Sequence, residues 1–185
     1  MRSILVSNMR KIKRAVPSIE DRVKVKVGFG RRSADSKLRG SAPKTGYISI
    51  NGSELNEYLV ENIIRAIDFG FDIDDALLLL NGEFVLEFIE VKEHTRRKNL
   101  KDVRSRIIGR EGKARRTIEK LTGAAVVISG NDIGVIVDAD HLSATVQGIE
   151  SLISGSKHGN VFGFLERQGA KVNRMDSDLG LKDGV

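Results

Sequence analysis

The sequence predicts an α+β protein built of two modules in tandem, each with the element order β-α-α-β-β-α, followed by a C-terminal helix. Two observations predict this class. The second half of the 185-residue chain alternates short runs of β-branched and aromatic residues with segments whose apolar residues recur at helical spacing. The first half repeats much of that order, and such a repeat indicates one supersecondary unit present twice.

The second module begins with a predicted strand and two short helices. Residues 84–91, FVLEFIEV, are rich in β-branched and aromatic residues and predict a strand. A short basic helix is predicted at 100–108, where Gly109 ends it. A second helix is predicted at 113–121, because its apolar residues fall on one face and Gly123 follows as a stop signal.

The second module ends with a predicted hairpin and a long helix. The runs AAVVIS at 124–129 and IGVIVD at 133–138 are joined by a turn that contains Gly130, which predicts two antiparallel strands. Residues 141–153 carry apolar side chains at helical spacing, which predicts an amphipathic helix. The order of the module is therefore β-α-α-β-β-α.

The first half resembles the second when the two are aligned at an offset of 102 residues. The run 6–14 then matches 108–116, and the strand-like run 22–27 matches the first strand of the hairpin. An insertion at 28–46, rich in Gly, Ser and basic residues, separates the two later strands of the first copy. The sequence leaves open whether residues 4–6 form the first strand or the remnant of a helix.

Positive charge is concentrated in two blocks at corresponding places in the two halves. Residues 1–44 contain 13 Lys or Arg against 3 acids, and residues 94–121 contain 11 against 3, whereas 45–93 contain 2 against 11. One such block would ordinarily be a solvated face. Two blocks in matching positions favour a polyanionic partner such as nucleic acid.

Composition excludes several classes of protein. The chain has no cysteine, which excludes disulfides and thiolate metal sites and favours an intracellular, cytoplasmic protein. No apolar stretch is long enough for a membrane span, and the N-terminus lacks the apolar core of a signal peptide. We therefore expect no membrane partner.

Catalytic and metal-binding chemistry is not predicted. His94, His141 and His158 lack the spacing of metal ligands. His158 is interpreted as a packing residue of the C-terminal helix, with RNA contact as the alternative. The acidic cluster at 72–75 precedes an apolar run and is interpreted as a helix cap. We expect no enzyme activity, no cofactor and no metal.

The motif Gly109-Arg110-Glu111-Gly112 lies between two predicted helices. Glycines there remove the Cβ atoms that would hold a nucleic-acid backbone away, and the following helix offers unpaired N–H groups to a phosphate. The alternative is a tight turn without a ligand, and the spacing alone favours neither interpretation. The surrounding elements and the positive block favour phosphate binding.

The whole pattern resembles a known family. A strand, a short helix ending in IIG, a G-x-x-G loop, a helix ending in TG, a hairpin and a long helix resemble a type I KH domain over residues 84–154. The strings SRIIGREGKARRTIEKLTG and GSKHGNVFGFLE resemble archaeal relatives of the tandem-KH small-subunit rRNA-processing factors called partner of Nob one. KH modules clamp about four nucleotides of single-stranded RNA at such a loop.

The resemblance implies a division of the chain into two KH-like modules and a tail. Residues 1–82 form a degenerate module, because the run SNMR at 7–10 stands where the G-x-x-G loop is expected. Residues 83–168 form a KH module with a C-terminal helix. The tail at 169–185, rich in Gly and Asp, is predicted to be disordered.

The predicted RNA contacts group around the loop and the strand that follows the second helix. Cations near the loop would attract phosphates, and an apolar strip would receive bases. The predicted RNA-binding residues are Arg106, Ile108, Gly109, Arg110, Glu111, Gly112, Lys113, Arg115, Arg116, Ala125 and Val127.

The function that the resemblance implies is maturation of the small ribosomal subunit, by binding near the three-prime end of its rRNA. The implied partners are single-stranded RNA, a PIN-class nuclease and other ribosome-assembly or translation factors, and no DNA is expected. Two alternatives stay open: a general RNA adaptor, such as an exosome or mRNA-binding subunit, and a protein scaffold that docks on the pre-ribosome.

Overall fold

The computed structural model describes residues 2–31 and 46–178. The chain divides into two compact units: unit 1 ends at Asn81, and unit 2 begins at Gly82. None of the described helices is long and apolar enough to cross a membrane.

The described part of unit 1 contains a small antiparallel sheet and three α-helices. Its elements are β1 (Arg2–Val6), α1 (Met9–Arg22), β2 (Lys26–Arg31), β3 (Gly46–Asn51), α2 (Glu54–Phe69), α3 (Ile73–Leu77) and a 3-10 turn (Leu78–Leu80). The strand order is β1-β3-β2. Residues 4–6 therefore belong to a strand, and the single helix α1 takes the place of the two helices of an intact module.

The insertion predicted at 28–46 is shorter than the sequence suggested. Residues 28–31 extend β2, and Gly46 begins β3, so that both ends of the segment pair within the sheet. The pairing of Phe29 with Ile48 continues the register of the preceding residues. Residues 32–45 lie outside the described part of the chain.

Unit 2 has the predicted β-α-α-β-β-α order and one further helix. Its elements are β4 (Phe84–Glu90), α4 (Leu100–Ile108), a 3-10 turn (Arg110–Gly112), α5 (Lys113–Thr122), β5 (Ala125–Ser129), β6 (Asp132–Asp138), α6 (Ala139–Ser154) and α7 (His158–Asp178). The three strands form an antiparallel sheet in the order β4-β6-β5. The predicted α+β fold is confirmed.

Local signals explain where the helices of unit 2 begin and end. The side chain of Asn99 caps α4 by accepting from the Lys101 N–H, and Asp138 caps α6 in the same way. Gly123 follows α5 in the left-handed conformation, with its N–H donated to the Glu119 carbonyl. These signals are local, which is why the sequence predicts the elements to within one or two residues.

The two faces of β5 have different surroundings. Val126 and Ile128 pair with Val135 and Ile133, and these side chains pack with the helices in the core of unit 2. Cross-strand partners share a face, and neighbours along a strand lie on opposite faces. Ala125 and Val127 alternate with them, so they lie on the sheet face that the helices of unit 2 do not cover.

Helix α7 is part of the core of unit 2. Val161 and Leu165 are buried there, and Gly148 of α6 permits the approach, since a Cβ at that position would lie 2.9 Å from a Leu165 methyl. The predicted disorder from residue 169 is wrong as far as residue 178, because the helix continues. Gly169 still packs on α5, where an added Cβ would lie 3.3 Å from the Leu121 carbonyl oxygen. Residues 179–185 lie outside the described part.

Candidate nucleic-acid interface

The loop between α4 and α5 has a left-handed backbone at three of its four residues. Gly109, Glu111 and Gly112 have φ angles of 72°, 52° and 75°. At Gly109 a Cβ atom would lie 2.6 Å from the Ala114 Cβ and 2.7 Å from the Ala114 nitrogen. Glycine is required there both by the dihedral angle and by the close approach of the first turn of α5.

Helix α5 begins at this loop without a side-chain cap, although the Gly112 N–H donates to the Gly109 carbonyl at 3.3 Å and the Lys113 N–H donates to the Arg110 carbonyl. Its N-cap is Gly112, which offers no side chain, and its first turn contains no acidic residue. The N-terminal N–H groups of a helix carry a partial positive charge that attracts anions. The loop and the helix together can therefore hold a phosphate by backbone groups.

Two of the predicted loop cations are available for a ligand. The side chains of Arg110 and Lys113 are exposed, and they form no hydrogen bond or ion pair within the part of the chain that the structure describes. They flank the N-terminus of α5. A phosphate at this point would meet two mobile cations as well as the helix terminus.

The next two cations along α5 have structural partners. Arg115 donates to the Val126 carbonyl at 3.5 Å and pairs with Glu119 at 3.7 Å, while Glu119 accepts from the Val126 N–H at 3.2 Å. Arg116 donates to the Glu111 carbonyl at 2.6 Å. These contacts fix the edge of β5 and the left-handed turn, so Arg115 and Arg116 shape the site before any ligand is present.

Arg106 lies apart from the loop cations. Its guanidinium donates to the carbonyl oxygens of Leu152 at 3.2 Å and Gly155 at 3.0 Å, and it also contacts the Ser156 carbonyl. Its own carbonyl lies 2.9 Å from the His158 Nε2. Arg106 therefore joins α4 to the end of α6 and the start of α7. The position of His158 agrees with the interpretation as a packing residue.

An open cleft of about 220 Å³ lies beside the loop, between α4 and the end of β5. Its lining residues are Lys101, Arg104, Ser105, Ile108, Ile128 and Gly130. Ile108, with 37% of its surface exposed, supplies an apolar wall near the loop. Arg104 donates to the Gly130 carbonyl at 2.5 Å, which holds the hairpin turn against α4.

The cleft contains only part of the apolar strip that the sequence predicted. Ile108 lies in it, but Ala125 and Val127 do not, because strand alternation puts them on the other face of the sheet. Ile128 is the strand residue at the cleft. The helical period could have identified the α4 side of the cleft, since Lys101, Arg104 and Ile108 lie on one face of that helix.

In unit 1, a carboxylate of the chain binds the backbone of residues 7 and 8, which correspond in sequence to the start of the loop of unit 2. The Asp68 side chain accepts hydrogen bonds from the N–H groups of Ser7 at 2.7 Å and Asn8 at 2.6 Å, next to the start of α1. Asn8 caps the same helix, and Lys11 pairs with Asp72 at 3.0 Å. These donors and this cation are already used within unit 1.

Local contacts also involve one residue of the acidic cluster, Asp72, and the histidine His94. Asp72 precedes α3 as predicted, although its side chain makes no capping hydrogen bond to the helix. His94 lies 3.6 Å from Glu150. Across residues 2–31 and 46–178, no group of three or more His, Cys, Asp or Glu residues is placed to hold a metal ion.

Comparison with known families identifies the domain that carries the loop and the cleft. Residues 85–170 match the family described as the eukaryotic-type KH domain, which is the KH domain of type I. Residues 85–170 belong to the type I KH family. The KH domain thus includes every residue of the loop and of the cleft, and the predicted resemblance is confirmed.

Two curated relatives match most of the chain. A KH domain-containing protein of Methanocaldococcus jannaschii is 34% identical over 143 residues, which cover 74% of this chain and 63% of that protein. The pre-rRNA-processing protein pno1 of Emericella nidulans is 27% identical over 160 residues, which cover 84% of this chain and 59% of that protein. This chain spans about three fifths of the length of these relatives.

Solved structures of archaeal proteins share the fold of both units. A chain in the crystal structure of an a/eIF2alpha-aDim2p-rRNA complex from Pyrococcus horikoshii matches with a TM-score of 0.74 and 28% identity, covering 92% of this chain and 94% of that chain. Dim2p of the same organism matches with a TM-score of 0.72 and 28% identity, covering 90% of this chain and 99% of that chain.

Substitutions at Glu111 separate backbone strain from charge in the KH loop. Glu111→Gly removes both the left-handed strain and the negative charge, and we expect the free energy of unfolding to rise by up to about 1 kcal/mol. Glu111→Gln removes the charge alone, and stability should stay within about 0.5 kcal/mol. Both variants should bind single-stranded RNA more tightly. Denaturant titration measures the free energy of unfolding, and binding isotherms measure the affinity for RNA. Equal stability of the two variants would show that the backbone of Glu111 is not strained.

Arg106 and Arg110 form a second test pair, because the first is bound to backbone carbonyls and the second is exposed in the loop. Arg106→Ala leaves three carbonyl groups without their donor and should lower the free energy of unfolding by about 1–3 kcal/mol. Arg110→Ala should leave the free energy of unfolding within about 0.5 kcal/mol of its original value. It should reduce by about 0.7 the steepness of the salt slope, which is the slope of the logarithm of the RNA-binding constant against the logarithm of the salt concentration. A stable Arg106→Ala protein that shows the reduced salt slope would reverse the two assignments.

Proposed function

We propose that the KH domain of this chain binds single-stranded RNA, with a phosphate at the loop of residues 109–112 and bases in the cleft. The observation that carries this proposal is the loop itself, whose left-handed glycines open the N-terminus of a helix beside an apolar wall. Arg110 and Lys113 add attraction that depends on salt. A cleft that admits a few unstacked bases favours a single strand over a duplex.

We further propose that the chain acts in maturation of the small ribosomal subunit, by holding the single-stranded three-prime end of its rRNA. The relatives named for pre-rRNA processing and the complex of aDim2p with rRNA support this role. The role is one of binding, and it leaves catalysis to partners. A PIN-class nuclease and ribosome-assembly or translation factors are the partners that this role requires.

Unit 1 contributes little direct recognition in this proposal. The carboxylate of Asp68 already occupies the N–H groups of Ser7 and Asn8, so the start of α1 has less attraction for a phosphate than the start of α5. The remaining cations of unit 1 would steer RNA toward the chain without selecting a sequence.

Charge reversal in the loop tests RNA binding. Arg110→Asp combined with Glu111→Asp keeps both glycines and puts two acids where a phosphate binds, so the variant should bind a short single-stranded RNA at least about tenfold more weakly with a shallower salt slope.

Lys171→Asp supplies the matched control, because it makes the same change in net charge on the exposed surface of α7. Gly169 packs near Leu121, at the opposite end of α5 from the loop, so this control lies far from the phosphate site. A folded loop variant that binds like the unaltered protein, or a control that loses as much affinity, would contradict the proposed site.

The cellular role requires a separate measurement. Crosslinking the protein to RNA in its native cells, followed by sequencing, should give a sharp peak at the three-prime end of the small-subunit rRNA. Signal spread over messenger RNAs without that peak would contradict the rRNA role and favour the general adaptor. Crosslinks confined to folded rRNA helices would favour the docking scaffold.

A further inference from the structure

We propose that Arg96, Lys98 and Lys101 form a second phosphate-binding surface, which extends the RNA path beyond the cleft. We call these three residues the α4 entry surface. The inference rests on the proposed function, because it concerns the nucleotides that follow those held in the cleft. Its ligand is the sugar-phosphate backbone of single-stranded RNA, without selection of bases.

The α4 entry surface begins at Lys101, which lines the cleft, and includes two cations of the segment that leads into α4. Ile108 lies next to the loop and Lys101 lies at the other end of the helix, so seven residues separate them by about 10 Å. Lys98 and Arg96 precede the N-cap Asn99 in the chain. Because Lys101 also lines the cleft, an RNA strand that leaves the cleft along α4 reaches the surface directly.

The segment that carries these cations is held in place by its own hydrogen bonds. The His94 carbonyl accepts from the Ser154 hydroxyl at 3.3 Å, which ties the start of the segment to α6. The Arg97 N–H donates to the Thr95 hydroxyl at 3.2 Å, and Asn99 caps α4. The cations are therefore presented from a fixed backbone, which lowers the entropy cost of binding.

Local charge favours a polyanion along this path. Residues 92–104 contain six Lys or Arg and two acids, and one of those acids, Asp102, accepts from the Asn99 side chain at 2.8 Å. The side chains of Arg96, Lys98 and Lys101 are exposed. They form no hydrogen bond or ion pair among the described residues, so a phosphate would not need to displace a partner.

Arg97 is excluded from the surface by its position. Its guanidinium nitrogen would lie 3.1 Å from a Cβ built on Gly155, so it lies against the C-terminal end of α6. A cation there is favoured by the partial negative charge of the helix terminus. The segment also carries no Phe, Tyr or Trp on which a base could stack, which is why we assign it to phosphates rather than bases.

Binding of oligouridylates of two lengths tests the α4 entry surface. The double variant Arg96→Ala with Lys98→Ala should bind a four-nucleotide oligouridylate like the unaltered protein, since that length fills only the cleft. It should bind a twelve-nucleotide oligouridylate about tenfold more weakly at 0.1 M salt, with a salt slope reduced by about 1.4.

Two further variants serve as controls. Lys120→Ala with Lys171→Ala removes the same charge from exposed positions on α5 and α7 and should leave both affinities unchanged. Arg96→Lys with Lys98→Arg keeps the charge and should retain binding of the longer strand, which would attribute the effect to charge.

The outcomes separate this inference from the proposed function. Equal losses for both lengths, no loss for the longer strand, or an equal loss in the charge-removal control would overturn the α4 entry surface and leave the cleft in place. Failure of the unaltered protein to bind either oligouridylate would overturn the proposed function and this inference together.

Discussion

The close approach of Gly109 to Ala114 is the constraint on which the site depends. Because the two backbones meet at a distance that no Cβ could occupy, α5 begins directly beside the end of α4. That geometry puts the start of α5, with Arg110 before it and Lys113 as its first residue, next to Ile108 at the end of the cleft. A side chain at Gly109 would separate the two helices and remove the phosphate position, even if both helices still formed.

The two units differ in the acceptors that surround the N-terminus of the helix after the first turn, α5 in the KH domain and α1 in unit 1. In the KH domain, the N-terminus of α5 has no acidic residue in its first turn and no side-chain cap. In unit 1, Asp68 and Asn8 supply oxygen acceptors around the start of α1. A carboxylate supplied by the chain itself satisfies the donors that a ligand phosphate would otherwise satisfy. The absence of loop glycines and the presence of an internal carboxylate both support the prediction that unit 1 is a degenerate module.

The sequence predicts the elements of unit 2 well because their signals are local. Gly109, Gly123 and Asp138 end or begin helices by their own backbone and side-chain properties. The sequence predicts the residues of the site only in part, because tertiary contacts decide which of the basic residues are free to meet a ligand. Arg106 and Arg110 are equally basic in sequence, and only the carbonyls at the end of α6 distinguish them.

The errors in the sequence-based site have similar causes. Ala125 and Val127 lie on the face of β5 opposite to Ile128 and therefore away from the cleft, because neighbouring residues of a strand lie on opposite faces. The prediction of disorder after residue 168 was based on composition alone. Composition gives no information on tertiary contacts such as the packing of Gly169 against α5. Arg104, whose contact with the Gly130 carbonyl shapes the cleft, has no sequence motif of its own.

The proposed site has phosphate bound at the start of α5 and not at the start of α1. A titration of the isotopically labelled protein with a short single-stranded RNA, followed by amide NMR spectra, tests it most directly. We predict the largest chemical-shift changes at the N–H groups of Gly112, Lys113 and Ala114, with Ser7 and Asn8 unaffected. Largest changes at Ser7 and Asn8, or changes spread evenly over the basic surfaces of both units, would contradict it.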